Sequence, residues 1–390
     1  MPPTIFISAG EASGEHYGAL LVAQIKERLA ADGQRASFYG MGGERMAGEG
    51  LQCVVRSEEM AVMGLTEVVS HLPHIYREYG KLKRAIRRYP PSVAVLIDFP
   101  EIHFRLAKEF HRLGVPVIFF VSPQLWAWKK RRIKLVQKYI DRMLVIFPFE
   151  ESFYRERGVQ AEFVGHPLAD VPAQSISREH FADEHELHPA KTWIGMLPGS
   201  RPREIRDHLP TILRAAQELS HSLEYILPLA PTLNAAQREQ VQQLVQKHGE
   251  GLSIRFVDDA RAALFHSRAS IVASGTATVE AALVGNPFVV VYRVSPVTYA
   301  IAKVMVKVPH VAMVNLIAGK RVVPELIQSD FKAENIVQEI ERLLPDGPPR
   351  QSMMQELARI RIMLGKPSQE GAIGRVAAIT LETISEDSFD

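Results

Sequence analysis

The sequence predicts an α/β protein made of two successive doubly wound parallel-sheet units. Three observations carry that reading. Short runs rich in Val, Ile and Phe alternate with longer segments of helical apolar spacing, the pattern of parallel strands joined through helices. The alternation lapses once, in a polar stretch from Gly165 to Ala190 punctuated by Pro167, Pro172 and Pro189, and then restarts. The length, 390 residues, suits two domains rather than one.

In chain order, the first half offers strands at Thr4–Ser8, Ala36–Tyr39, Val93–Phe99, Val117–Val121 and Met143–Phe147. Helices are expected between them at Gly14–Ala31, Thr66–Arg88, Ile102–Leu113 and Lys130–Tyr139. The second half repeats the alternation. Its strands are expected at Thr192–Leu197, Glu224–Pro228, Ser253–Val257, Ser270–Ala273 and Phe288–Tyr292. Its helices are expected at Glu204–Glu218, Asn234–His248, Ala260–His266, Thr276–Val284 and Pro296–Lys307. The tail from Glu334 to Ser385 reads as helical, broken near Pro345–Pro349 and Gly365–Pro367. The expected domains are 1–170, a linker over 171–190, 191–349, and C-terminal helices over 350–390 that pack back on an N-terminal domain. Ligands of such sheets bind beyond the carboxyl ends of the strands, so two units face to face would frame a central cleft.

Composition narrows the function. Apolar residues make up 46% and charged residues 23%, an ordinary globular balance. Lys+Arg 46 against Asp+Glu 44 gives +2, which argues against a nucleic-acid binder. The single cysteine, Cys53, excludes a disulfide framework and a Cys-based zinc site. Met1–Ser8 lacks a basic leader. The longest run without Asp, Glu, Lys or Arg, Leu113–Trp128, is 16 residues and broken by prolines, too short for a transmembrane helix.

Four corners could carry chemistry. Ser8-Ala9-Gly10-Glu11-Ala12-Ser13-Gly14-Glu15-His16 is a strand, glycine turn and helix start, but neither G-x-G-x-x-G nor a Walker loop. It reads equally as a tight turn. Asp98 ends the apolar run Val93–Ile97, where a carboxylate could act as general base or cap the next helix. Leu197-Pro198-Gly199-Ser200-Arg201 could offer backbone N–H groups and a guanidinium to a phosphate, or be a surface loop. Ser274-Gly275-Thr276-Ala277-Thr278-Val279-Glu280 reads as a strand-to-helix anion corner, with Glu280 one turn in to accept from ribose hydroxyls. His166, in Gly165-His166-Pro167, ends a strand beside the linker. No Asp-x-Asp, H-E-x-x-H or Cys pair is present, so neither a metal nor a cofactor is expected.

Another set suggests an amphiphilic partner. Met60, Val62, Met63, Leu65, Val68, Val69 and Leu72 form an apolar stretch. Arg77–Arg88 holds six basic residues against one acidic, and Lys129–Lys138 holds six and none, just after Trp126 and Trp128. Apolar residues, Trp and basic clusters suit an anionic membrane surface. Core methionines and solvated helix faces are the plainer explanation of the same residues.

Taken in order, these motifs resemble the lipid-A-disaccharide synthase family, glycosyltransferases with two Rossmann-like domains facing a central cleft (GT-B). Ile97-Asp98-Phe99-Pro100, Ser122-Pro123-Gln124-Leu125-Trp126-Ala127-Trp128, Asn315-Leu316-Ile317-Ala318-Gly319 and Val323-Pro324-Glu325-Leu326-Ile327-Gln328 complete the match. The resemblance implies an inverting transfer from UDP-2,3-diacylglucosamine to 2,3-diacylglucosamine 1-phosphate (lipid X), giving a β-1,6 disaccharide 1-phosphate and UDP. It implies Asp98 as base. It places Gly199, Ser200, Arg201, Ser274, Gly275, Thr276 and Glu280 on the UDP-sugar, with Asn315, Glu325 and Gln328 nearby. Ser13, Glu15, His16 and His166 fall on the acceptor side. The family usually has Asp where Glu15 stands, and Asp where Glu101 follows Pro100. The implied setting is the cytoplasmic face of the inner membrane of a Gram-negative-type bacterium, held peripherally. A homodimer with exchanged C-terminal helices is compatible with the tail. The Gly-Thr…Glu corner also occurs in UDP-N-acetylglucosamine 2-epimerases and the undecaprenyl-linked GlcNAc transferase. A non-catalytic nucleotide-binding module that tethers to a membrane is a further alternative, and it leaves Asp98 idle.

Overall fold

The apolar runs become the strands of two wholly parallel sheets, in a computed structural model that describes residues 2–60, 65–128, 130–219, 222–305, 308–365 and 370–386. The first sheet holds β1 (Thr4–Ala9), β2 (Ser37–Gly42), β3 (Gln52–Arg56), β4 (Val93–Ile97), β5 (Val117–Phe120), β6 (Arg142–Val145) and β7 (Ala161–Phe163). Their order is β3-β2-β1-β4-β5-β6-β7. Its helices are α1 (Ala12–Ala31), α2 (Glu44–Gly48), α3 (Leu65–Arg88), α4 (Pro100–Arg112), α5 (Ile133–Tyr139) and α6 (Pro148–Arg155). Every residue of β4 and β5 is buried, so these strands are covered on both faces and read as unbroken apolar runs. Burying one such side chain is worth about 1.5–3 kcal/mol.

The second unit begins with α7 (Arg178–Glu184) and builds its own sheet from β8 (Thr192–Leu197), β9 (Leu223–Pro228), β10 (Ile254–Val257), β11 (Ala269–Ala273), β12 (Phe288–Tyr292) and β13 (Glu325–Ile327). Its order, β10-β9-β8-β11-β12-β13, repeats the winding of the first sheet. The helices are α8 (Pro202–Glu218), α9 (Ala235–His248), α10 (Ala260–His266), α11 (Thr276–Val284), α12 (Pro296–Met305), α13 (Met313–Ala318), α14 (Ala333–Leu343) and α15 (Pro348–Leu364). The last helix is α16 (Gly371–Glu386).

The division between units differs from the sequence reading in two places. One unit joins Met1–Asp170 to Leu364–Asp390, and the other is Val171–Met363. The stretch 171–190, expected as a linker, is an ordered part of the second unit. Ser177 Oγ accepts from the His180 N–H to cap α7, and Phe181 and Ala182 are buried. The Arg178 guanidinium lies over the Trp193 ring at 3.5 Å and donates to the Pro189, Lys191 and His266 carbonyls. Of the expected tail helices, 350–363 stay with the second unit, while α16 packs on α1 of the first. Arg28 pairs with Glu370 at 2.9 Å, and Asp170 accepts from the Ala372 N–H at 2.6 Å. Strands β3, β7 and β13, three to five residues long, are additions to the strands expected from the sequence.

Candidate active site

In each unit the strand order reverses between two neighbours, β1 and β4 in the first, β8 and β11 in the second. Such switch points open a crevice beyond the carboxyl ends of the strands. The pairings Ala9↔Ile97 and Ile97↔Phe120 set Gly10, Asp98 and Val121 side by side at the first. Asp98, Phe99 and Val121 all have positive φ, at 51, 52 and 62°. Left-handed backbone costs a non-glycine residue roughly 1–3 kcal/mol, and a β-branched valine rarely adopts it. Three such residues on adjacent strand ends concentrate strain at one rim. Phe99 lies on Gly10, where an added Cβ would meet its ring at 2.4 Å, so the turn after β1 needs glycine for space.

The Asp98 carboxyl is pushed up to about 6, chiefly by burial and next by the negative charge of Glu11; a bond from the Phe99 N–H opposes both. It therefore carries a charge at neutral pH and remains basic enough to accept a proton.

Beneath it sits His103, fully buried. Its Nδ1 contacts the Asp98 carbonyl oxygen, which can only accept, so Nδ1 carries the proton. Burial lowers the ring to about 4, so Nε2 is bare and accepts from Ser8 Oγ at 2.9 Å. His103 thus ties the end of β1 to the backbone of Asp98. This is no nucleophilic triad, because Asp98 offers a carbonyl and Ser8 is buried.

The expected acceptor-side residues divide. Ser13 is exposed and His16 half-buried, its ring lowered by burial and by Arg45. Glu15 is buried, and its Oε1 accepts from the Met46 N–H at 3.0 Å, which closes the first turn of α2. Its carboxylate is committed to joining α1 to α2. His166, expected to line a cleft, is enclosed within the first unit. Its Nδ1 accepts from the Leu168 N–H, its ring tilts on Phe147, and burial lowers it to about 3.

The apolar, membrane-facing set divides as well. Val62 and Met63 lie outside the described residues, as do the side chains of Leu65, Val68, Val69 and Leu72. Met60 is 2% exposed and sits in the core with Val55, Leu82 and Ile86, so it faces inward rather than toward a membrane. Trp126 also turns inward. Its Nε1–H donates to the buried Glu150 at 3.0 Å and its ring meets Phe149 edge-on, whereas Trp128 is 38% exposed. The basic run of α3 is partly spent. Lys83, Arg87 and Arg112 converge on Glu109, while Arg77 and Lys81 hold Glu78. Among the described residues Glu59, His74 and Glu78 bring ligand-type atoms within 4.8 Å of one another. Cations already fill that group, because Lys81 sits 2.6 Å from Glu78 and Arg77 donates to His74 Nδ1.

In the second unit the pairing Val272↔Leu197 sets the Pro198–Arg201 loop beside the Ser274–Thr276 turn, at the β8/β11 switch point. Gly199 has φ 128°, and a Cβ there would lie 2.6 Å from Glu204 Oε2. Glu204 Oε2 accepts from the Arg201 N–H at 3.4 Å and its Oε1 pairs with the Arg201 guanidinium at 3.5 Å, which stays largely exposed. Ser274 continues the ladder to the Val291 carbonyl, and the Gly275 carbonyl accepts from Thr278 Oγ1. Ser200 is exposed, and Thr276 opens α11 with its first-turn N–H groups directed at the rim. Glu280 is half-buried one turn in; burial raises its carboxyl, and Arg261 opposes this. Gly275, at φ 153 and ψ −161°, has open space around it, so alanine there would meet backbone strain alone. Gly275→Ala is expected to cost about 1–3 kcal/mol of folding stability through that strain, a fall in Tm that calorimetry checks.

Three expected nucleotide neighbours turn out to hold loops. Asn315 is fully buried and bonded at both ends: Nδ2 donates to the Val323 carbonyl and Glu325, and Oδ1 accepts from the Val322 and Val323 N–H groups. Glu325 accepts from the Val311 and Ala312 N–H groups at the start of α13. Gln328 accepts from the Val294 N–H at 2.9 Å and donates to its carbonyl at 3.1 Å. Sequence reasoning missed their companion, His208. It is buried, its Nδ1–H donates to the Pro198 carbonyl at 2.7 Å, and its Nε2 accepts from the Arg293 N–H at 3.0 Å. It pins the loop after β8 to the end of β12, much as His103 pins β1 to Asp98.

Comparison with known proteins bears on the fold and the family. The sequence model of the Lipid-A-disaccharide synthetase family matches residues 5–372. The chain is 57% identical over 391 residues to the lipid-A-disaccharide synthase of Acidobacterium capsulatum, covering 98% of this chain and 96% of that one. Among solved structures it is similar to the calicheamicin glycosyltransferase CalG4, with TM-score 0.60 and 17% identity over 98% of both chains. It is also similar to the UDP-GlcNAc 2-epimerase of Neisseria meningitidis bound to UDP-GlcNAc, with TM-score 0.61 and 12% identity over 99% of this chain and 100% of that one. The structural likenesses establish the two-Rossmann GT-B fold, and the sequence matches establish the rest: the chain belongs to the lipid-A-disaccharide synthase family and is a glycosyltransferase of lipid A biosynthesis.

Proposed function

We propose that the chain joins UDP-2,3-diacylglucosamine to 2,3-diacylglucosamine 1-phosphate by direct displacement, with Asp98 as the base. The carried observation is Asp98 itself, a partly buried carboxylate at a switch point, held in strained backbone and raised toward neutral pH. Asp98 takes the proton from the acceptor 6-hydroxyl. The oxygen attacks the donor C1, the bond from C1 to the diphosphate oxygen breaks, and UDP leaves from the opposite face, so the configuration inverts. Backbone N–H groups of the Ser274–Thr276 turn and the exposed Arg201 guanidinium receive the charge gathering on the diphosphate. The Neisseria structure of the same fold, bound to UDP-GlcNAc, supports a UDP-sugar as substrate.

Both substrates carry acyl chains, so the reading includes an anionic membrane surface. No helix among the described residues is long and apolar enough to cross a membrane. Surface contact is supported by exposed Trp128 and by Arg131, Lys134 and Lys138 on the neighbouring α5 segment.

The deciding experiment follows UDP release from the diacylated donor, in detergent and EDTA, with and without lipid X. Turnover that requires lipid X and collapses in Asp98→Ala is the expected result. Inert donor with conversion of UDP-N-acetylglucosamine instead would sink the reading and favour an epimerase-like activity. Tight UDP binding without any turnover would favour a binding module.

A further inference from the structure

Glu150 is 1% exposed, and no role for it follows from the sequence or from the proposed chemistry. Its Oε1 accepts from Ser122 Oγ at 2.7 Å and from Trp126 Nε1 at 3.0 Å, and its Oε2 accepts from the Phe147 N–H at 3.2 Å. The Trp126 Nε1–H and the Phe147 N–H can only donate, one to each carboxyl oxygen, while the Ser122 hydroxyl can donate or accept. A carboxyl group meets all three, whereas a glutamine would turn its amide N–H2 against one of the two N–H donors. Burial works against the ionised state and pushes the carboxyl up to about 7, against the bonds from Ser122, Trp126 and Phe147. A fold needing only an apolar plug here would be better served by leucine, so the buried charge is costly unless its partners matter.

Its partners belong to one segment. Ser122 and Trp126 bracket the loop that leaves β5, and Tyr154 adds a bond from its hydroxyl to the Pro123 carbonyl at 3.0 Å. The loop starts at Val121, the strained residue beside Asp98. Strain there persists only if the surroundings over-determine the backbone, and α6 supplies the anchor.

We infer that Glu150 is a positioning residue, which holds the 121–128 loop as a fixed wall beside Asp98 and so orients the acceptor sugar for deprotonation. This rests on the reading of Asp98 as base. The role is distinct from UDP binding, which belongs to the second unit, so loss of the anchor separates the two.

Glu150→Gln in the full chain tests it, with three readouts. The indole N–H resonances of Trp126, Trp128 and Trp193, labelled with 15N, report the anchor: the Trp126 signal is expected to move upfield while Trp193 stays. Kinetics with both substrates are expected to show the acceptor KM raised and kcat lowered, together about 10- to 100-fold in kcat/KM. The affinity for UDP is expected to stay within twofold. Glu150→Asp, which keeps the charge on a shorter stem, is expected to restore part of the activity. A moved Trp126 signal with unchanged acceptor kinetics overturns the inference. So does a loss shared equally by UDP affinity and acceptor kinetics, the mark of a merely structural residue. Should Glu150→Gln not fold, Trp126→Phe removes one donor and leaves the carboxylate; a raised acceptor KM at constant UDP affinity is then expected, and no change overturns the proposal. Wild-type enzyme that turns over without lipid X fails the underlying reading before any variant is made.

Discussion

Replacing Asp98 with asparagine is expected to lower kcat/KM by about 10²–10⁴, the usual contribution of a positioned general base. The variant keeps the size of the side chain, so the loss reports chemistry rather than packing. In the wild type, kcat/KM is expected to rise with pH through about 6, as the carboxyl loses its proton, and then level off. Stability runs the other way. The carboxyl binds its proton more tightly in the folded protein, at about 6, than at its ordinary value of 3.8. That preference stabilises the fold below the lower value and is lost as pH rises through the higher one. Asp98→Asn carries no such charge, so at pH 8 it is expected to unfold at a higher temperature than the wild type while keeping only residual activity. A pH–rate profile and thermal unfolding at pH 5 and pH 8 check both halves. An acid limb that persists unchanged in the variant's residual activity would remove Asp98 as the base.

Replacing His208 with leucine is expected to give the largest loss of stability. The ring satisfies the Pro198 carbonyl and the Arg293 N–H together, and it is wholly buried. Leaving both unpaired costs about 2–4 kcal/mol, or roughly 5–15 °C in the unfolding of the second unit. Function suffers as well, because Pro198 opens the Gly199–Arg201 loop. UDP affinity is expected to fall even at temperatures where the fold survives. Calorimetry followed by UDP titration at 15 °C separates the two effects, and an unchanged melting temperature would remove His208 from this role.

These two residues mark what the sequence discloses and what it withholds. The place of Asp98 was legible because an apolar run that stops at a carboxylate marks the end of a parallel strand, whether that carboxylate meets a ligand or caps the next helix. Gly199 and Gly275 were legible for a related reason, since a glycine between a strand and a helix marks a turn whose backbone a side chain strains, and at Gly199 also a lack of space. His103, Glu150 and His208 were not. Each lies inside or at the start of a helix, where its spacing is that of an ordinary helical residue. Their importance comes from backbone atoms of Asp98, Phe147, Pro198 and Arg293, which leave no trace in side-chain identity. Met60 misled for the opposite reason: a methionine in an apolar stretch reads alike whether it faces lipid or core. Glu15, Asn315, Glu325 and Gln328 were singled out, but the structure spends their polar atoms on neighbouring backbone. The strands β7 and β13 escaped because three residues cannot display a period, and β3 because Gln52 and Arg56 leave it only three apolar positions.

The return of α16 to the first unit sets an order for synthesis. Residues 171–363 form one unbroken stretch, so the second unit is complete in sequence before the first. On a ribosome adding about 5–20 residues each second, Arg28 waits for Glu370, 342 positions later, for tens of seconds. During that interval the face of α1 that will meet α16 stays uncovered. The nascent first unit therefore presents apolar surface for longer than its early place in the chain suggests, and chaperone binding should concentrate there until α16 emerges.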